Sequence, residues 1–230
     1  MTDLLDAISH RCSRRKYKPK ALEVSAAETL QDLITEYCGK ENLKIRLITA
    51  NGDAFNGFRK SYGMFSGVCN YIALIGNKTD IIGLEKLGYY GELLVLNATM
   101  LGLGTCWVGG TFDRGACPVD LDADESVVCA ITVGYVEQEM SVKEKLIRWG
   151  AHRKSKTEEQ MYISDSQIPD WFKSAVAAVS MAPSAINRQP VTFSYIDGTV
   201  TASVNNIVGD GYAFDLGIAK LHFELGAGGG

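Results

Sequence analysis

Cysteine is present six times, but Cys12, Cys38, Cys69, Cys106, Cys117 and Cys129 are scattered without a single CxxC pair. That spacing suggests neither an iron–sulfur cluster nor a zinc site, and isolated cysteines are expected as small buried apolar groups. Histidine is equally sparse: His10, His152 and His222 stand far apart and make no HExxH pattern, so no metal centre is expected. No apolar run reaches the length of a bilayer span, and MTDLLDAISHRCSRRK lacks a basic leader followed by an apolar stretch. A cytoplasmic location with no membrane partner is therefore the expectation. Charge of one sign is lacking too. The formal net charge is -4, from 23 Lys and Arg against 27 Asp and Glu, which makes no overall electrostatic case for nucleic acid or an anionic membrane. Local basic clusters are a separate matter.

What remains is an ordinary globular composition, with 46% hydrophobic and 22% charged residues in 230 positions. A chain of this size buries one large core or two intimately packed smaller ones. In VSAAETLQDLITEYCG, Ser25 and Glu28 have capping-box spacing, Leu30, Leu33, Ile34, Tyr37 and Cys38 recur at helical intervals, and Gly39 is a natural stop. Alternation over 43–47 predicts a half-buried strand ending at Asn51-Gly52. Further strands are expected at 68–76 and 127–135, the latter apolar enough for a sheet interior. Between them, residues 89–102 are apolar nearly all round, which predicts a buried helix.

The tail repeats this order. PDWFKSAVAAVS reads as a helix, VTFSYI as a strand, Asp197-Gly198 as a turn, and FDLGIAKLHFELG as a second apolar helix. That helix ends in Leu225-Gly226-Ala227-Gly228, matching Leu101-Gly102-Leu103-Gly104. Any α+β protein can contain helix–strand–helix twice, but the shared order supports a diverged internal duplication. It divides the chain into a first half, 1–160, and a shortened second half, 161–230, packed as one unit. The charge-dense stretch 143–160 reads as a solvated connector between them.

Four segments could carry chemistry. RCSRRKY, 11–17, sets four cations and a hydroxyl within seven residues. Guanidinium forks suit phosphate oxygens, although such a run standing alone is more often a solvated basic face. APSAINRQPV places Ser184, Asn187 and Gln189 between Pro183 and Pro190. Its amides can complement the donors and acceptors of a flat heterocycle, or simply cap a local turn. GLGTCWVGG, 102–110, does not fit a dinucleotide fingerprint, because its GxG follows a helix instead of opening one. Its glycines either let the backbone pass close to a flat ligand or only end that helix. Finally, Arg153, Lys154 and Lys156 are phosphate ligands or ordinary surface charge.

Together these segments resemble the FMN-dependent nitroreductase family. Arg11, Ser13, Arg15 and Tyr17 are similar to its RxSxRxF element, 183–190 to its PSxxNxQP loop, 102–110 to its GLGTCWxGG segment, and Gly134-Tyr135 with 153–156 to its GY strand and following basic stretch. The resemblance implies an α+β fold with a central, mainly antiparallel sheet flanked by helices. It also implies an FMN held by Arg11, Cys12, Ser13 and Arg15, by Val108, Gly109 and Gly110, by Pro183, Ser184, Asn187 and Gln189, and by Arg153 and Lys156. The implied activity is hydride transfer from NAD(P)H through flavin N5 to a nitroaromatic or quinone-like small molecule, with no protein acid, base or nucleophile assigned.

Two departures are informative. The family's PSxxNxQP loop follows its RxSxR element closely, whereas here it comes some 170 residues later, in the second half. The chain therefore looks like a nitroreductase dimer fused into one polypeptide, working as a monomer with one FMN and an internal pseudo-two-fold. Val191 stands where the family commonly has tryptophan. The alternatives are a protein that holds FMN without turnover, or a flavin enzyme of the same fold performing dehalogenation or flavin breakdown.

Overall fold

The computed structural model describes residues 3–56, 61–152, 155–204 and 211–228. Helix α1 (Leu4–His10) is capped by the Asp3 carboxylate, which accepts from Asp6 N at 2.8 Å. Helix α2 (Val24–Glu41) starts one residue before Ser25, with Glu23 at the N-cap and no side-chain cap. The expected capping box therefore does not form. Nor does Gly39 end the helix: Asn42, at φ 54, takes the left-handed conformation that stops it.

Strands β1 (Lys44–Ile48), β2 (Tyr71–Gly76), β3 (Gly104–Val108) and β4 (Ser126–Gly134) form a four-stranded sheet in the order β1-β2-β4-β3, antiparallel throughout. β2 and β4 are buried along almost their whole length because both faces are covered. One face meets α2 and helix α3 (Ile81–Met100) through Leu30, Ile34, Ile72, Leu94 and Ile131. The other carries Tyr17, Phe55, Tyr71 and Phe112. That double cover is why the run at 127–135 contains no polar alternation. α3 begins eight residues earlier than its apolar run suggests, with the Asp80 carboxylate accepting from Gly83 N at 3.0 Å.

The stretch expected as a connector is helix α4 (Val142–His152) followed by a 3-10 turn at Glu158–Gln160. Its charges are real, but they do not leave it unstructured. Beyond it, β5 (Tyr162–Ser164) pairs parallel with β6 (Val191–Ile196), and β6 pairs antiparallel with β7 (Thr199–Val204). The β6–β7 hairpin turns at Asp197 and Gly198, both at positive φ, as a two-residue hairpin turn requires. Helices α5 (Asp170–Ser180) and α6 (Tyr212–Gly226) cover this second sheet. Phe172, Phe193 and Phe223 fill the space between, the last two stacked 4.3 Å apart.

The two apolar helices found in sequence, α3 and α6, pack against each other. Their contact is close enough to demand glycine. A Cβ at Gly88 would collide with the backbone of Phe214, and one at Gly217 with Glu85 O and Tyr89 N. Leu96, Ala178 and Leu221 join the same region with Ile8 of α1.

Gly217→Ala is therefore expected to destabilise the fold by at least about 1–3 kcal/mol through overpacking. In Gly150→Ala, where a Cβ would meet nothing within 4 Å, the same substitution in a helix should be neutral or stabilising by up to about 1 kcal/mol. Urea midpoints of the two variants check this; equal midpoints would show that the helices separate freely.

Candidate functional site

RCSRRKY runs beside β3, where Ser13 bridges Thr105 and Arg14 N donates to Thr105 O at 2.8 Å. Arg14 turns inward. Its guanidinium donates to Glu144 Oε1 at 3.2 Å and to Glu137 O at 2.9 Å. The Glu144 carboxylate also accepts from the backbone N–H of Arg15 (2.7 Å), Lys16 (3.2 Å) and Ser141 (2.8 Å), and from the Ser141 hydroxyl (2.8 Å). Burial alone would push this carboxyl up, but the bonds from Arg15, Ser141 and Lys16 outweigh it and hold the group at about 2. A lone glutamate of α4 thus pins the basic segment in place.

Cys106, on β3 beside that segment, is buried. Burial raises its thiol, and the Arg15 guanidinium, a Ser13 hydrogen bond and the Arg11 guanidinium offset part of that rise. Arg11 is almost covered, and its Nε is buried without a hydrogen-bond partner. Its Nη2 donates to Met181 O at 3.4 Å, next to the APSAINRQP loop. Glu92, fully buried in α3, lies 3.8 Å from Arg11 Nε and accepts from Trp107 Nε1 at 2.7 Å. Its other partner is His222 of α6, at 3.1 Å from Nε2; His222 Nδ1 faces Ala178 O at 3.0 Å and so carries a proton. Cys12 is half-buried on the same segment.

In GLGTCWVGG the glycines divide into two kinds. Gly102, at φ 74, ends α3, and a Cβ at Gly104 would strike Val136 and the stem of Arg14. These two serve the fold, and the expectation of a close ligand approach does not apply to them. Val108 is buried, whereas Gly109 and Gly110 are exposed with open space where a Cβ would stand. They lie four to five residues along β3 from Thr105, a span of about 14 Å or more.

The loop 183–190 is strained. Ile186, Asn187 and Gln189 all sit at positive φ, between 48 and 55, a region costly for a β-branched residue such as Ile186. Its polar side chains hold that shape. Ser184 Oγ accepts from Gln189 N at 2.9 Å, and Gln189 donates to Ser180 O at 3.1 Å and accepts from Lys156 N at 2.8 Å. Asn187 Nδ2 donates to Ala151 O at 3.2 Å and Ser155 Oγ at 2.9 Å. Pro183 borders a shallow recess that also takes in Ser184, Gln189 and Asp215; Arg11, Ser13 and Arg15 stand outside it. Burial lowers the Lys156 ammonium, a state that a bound anion would relieve. Arg153 lies outside the described residues.

The structure thus brings RCSRRKY, β3, the 155–156 strand of chain and the APSAINRQP loop into one neighbourhood, with α4 as the shared support. Sequence reasoning missed the supporting acids. Glu92 and His222 were legible as titratable residues in largely apolar helices that also carry Glu85, Lys86, Asp215, Lys220 and Glu224; Glu144 carried no signal within KEKLIR. Asp215, in the first turn of α6, accepts from Ala185 N at 3.0 Å and so grips the strained loop from behind.

The architecture is that of a nitroreductase-type fold. It resembles a Thermotoga maritima structure described as a "putative nitroreductase", with a TM-score of 0.67, 22% identity, and coverage of 97% of this chain and 83% of that one. A partial likeness joins it to a Desulfovibrio desulfuricans protein described as a "putative nitroreductase in complex with fmn", at TM-score 0.47, 21% identity, 63% of this chain and 95% of that one. No curated protein matches. Residues 3–227 match the family described as "Putative TM nitroreductase", and the chain belongs to that family.

Burial lifts the Asp215 carboxyl from 3.8 to about 6, against the opposing Ala185 hydrogen bond and the Arg188 charge. A raised carboxyl disfavours the charged folded state, so stability declines as pH rises from 3.8 through about 6. Asp215→Asn, which keeps an acceptor for Ala185 N, is expected to exceed wild type by about 2 kcal/mol above that window, with the gain vanishing at its lower end. Urea unfolding across the window checks it; a gain independent of pH would show that Asp215 does not titrate there.

Proposed function

We propose that this protein is an FMN-dependent NAD(P)H oxidoreductase, assembled from two nitroreductase-like halves, 1–160 and 161–230, fused in one chain and holding one flavin. The observation that carries the reading is the course of RCSRRKY along β3, with Arg15 N held by Glu144 near the start of α4 and Asn187 of the 183–190 loop held by Ala151 near its end. The residues present fit the group: a buried Arg11 Nε lacks a hydrogen-bond partner, and Gly109 and Gly110 leave open space.

Bound FMN would supply hydride chemistry at N5, accepting two electrons from NAD(P)H and passing them to a small-molecule acceptor such as a quinone or nitroaromatic. The protein's part is to hold and orient. Arg11, Ser13, Arg15 and Lys156 neutralise the phosphate, with Cys12 on the same segment; Arg153, which the resemblance adds, lies outside the described residues. Ser184, Asn187 and Gln189 fix the second-half loop in its strained shape beside Pro183. The N–H groups of Gly109 and Gly110, in exposed chain beyond the buried Val108, would donate to the ring edge. Proton delivery needs no side chain of this site, since quinone reduction can draw protons from water. The family membership and the split of its motifs across the chain support the fused arrangement, and the α3–α6 contact is what a two-fold interface turned inward would contain.

The expected preparation is yellow, with a flavin-to-chain ratio near one, and it oxidises NAD(P)H when menadione is supplied. In Arg11→Ala/Arg15→Ala the loss of charge-assisted bonds is expected to weaken FMN by about 3–6 kcal/mol, a hundredfold or more. Titration of apoprotein with FMN, followed by flavin fluorescence, measures it. Unaltered affinity would remove the phosphate assignment, and a ratio near two would remove the fused single-site reading.

A further inference from the structure

Helix α4 is oriented inside out. At about 100° per residue, Val142, Leu146 and Trp149 share an arc of about 60°, and they are 85%, 65% and 62% exposed. On the opposite side, Glu144 is 2% exposed. An amphipathic helix normally rotates its apolar stripe into the protein. Here the five donors to Glu144 fix the rotation the other way, so the stripe faces solvent because the carboxylate must face inward.

Apolar exposure continues at both ends. Ile186, 78% exposed, belongs to the loop bonded to Ala151 at the end of α4, and Tyr62, 67% exposed, adjoins Gly63, whose carbonyl accepts from Lys143. Cations flank the stripe: Lys143, Lys145 and Arg148 are exposed on α4, and Lys16 is exposed on the segment bonded to Glu144. The exposed acids nearby, Glu137 and Glu139, are paired with Lys18 and Lys145 in surface ion pairs. This is a basic, apolar face on a chain whose net charge is -4.

We infer that α4 docks on an anionic lipid surface, lying in the headgroup layer with Val142, Leu146 and Trp149 inserted. Two observations favour lipid over a second copy of the chain. The stripe is small: a helix of 11 residues is about 16 Å long and offers a few hundred Å² at most, against about 800 Å² per partner in a stable dimer. With Glu137 and Glu139 set against Lys18 and Lys145, the charge left on the face is positive, which suits phosphate headgroups and opposes self-association. The helix is too short to span a bilayer, and no helix among the described residues is long and apolar enough to do so. The inserted stripe and the cations tested belong to α4, so docking does not depend on the flavin reading.

The test is cosedimentation of the whole chain with phosphatidylcholine vesicles, with and without phosphatidylglycerol. Binding is expected only to the mixed vesicles and is expected to fall with added salt. Val142→Ser/Leu146→Ser, both exposed and therefore harmless to the core, should lower the partition coefficient about tenfold or more, with an unchanged circular dichroism spectrum. Lys143→Glu/Arg148→Glu should lower it at least as far, each cation contributing about fivefold. Equal sedimentation of wild type and the serine variant, or none with phosphatidylglycerol, would overturn the assignment. So would a concentration-dependent dimer in ultracentrifugation that the serine variant abolishes, because it would give the face to a second copy.

Discussion

The buried carboxylate of Glu144 is the interaction on which the candidate site depends. A carboxylate that accepts five hydrogen bonds is fixed in position and orientation, and its donors are fixed with it. Three of those donors, Arg14 Nε, Arg15 N and Lys16 N, belong to the basic segment, and two come from Ser141 at the start of α4. The end of α4 in turn holds Asn187, and Lys156, just beyond it, holds Gln189. One acid therefore relates the N-terminal segment to a loop some 170 residues later. It also accounts for the exposed apolar stripe: the helix could bury Leu146 and Trp149 only by turning Glu144 away from its donors.

A second buried acid ties the halves together by another route. Glu92 stands on α3, its imidazole partner His222 on α6, and the indole of Trp107 on β3, while Arg11 approaches from the N-terminal segment. Buried charge of this kind is weak evidence for stability, since its desolvation offsets most of the attraction. It is stronger evidence for register. α3 and α6 could slide along each other at little cost in apolar contact, because both are apolar on most faces, but the His222–Glu92 pair and the glycines at 88 and 217 admit one alignment. That alignment sets where Arg11 stands relative to the loop.

The parts of this arrangement that were legible in the sequence are those fixed locally. The β6–β7 hairpin follows from Asp197-Gly198, and the apolar helices from their composition. The motif residues were legible through their spacing. The supports were not, because their partners lie far along the chain: nothing in KEKLIR marks Glu144 as the residue that would meet Arg15 N–H, and α4 reads as solvated charge because its apolar residues really do face solvent. Local signals also lost to neighbours near the end of α2, where Asn42 could adopt the left-handed stop as well as Gly39. Glu92 and His222 were visible within the apolar helices, but their role required knowing that α3 and α6 meet.

The loop 183–190 shows why a motif rich in polar side chains need not present them to a ligand. Serine, asparagine and glutamine are all spent on holding a backbone in which three non-glycine residues occupy the left-handed region, at about 1–3 kcal/mol each. Strain of that size persists only where surrounding bonds over-determine it, and here they come from Ser180, Ala151, Ser155, Lys156 and Asp215. Asp215 is the expensive member, since its carboxyl is desolvated to reach Ala185 N–H. A fold under no demand at this position would relax the loop and release the acid. What the brace maintains is a fixed backbone edge with Ile186 and Arg188 outermost, so the specificity of the motif lies in the shape its side chains impose on the chain.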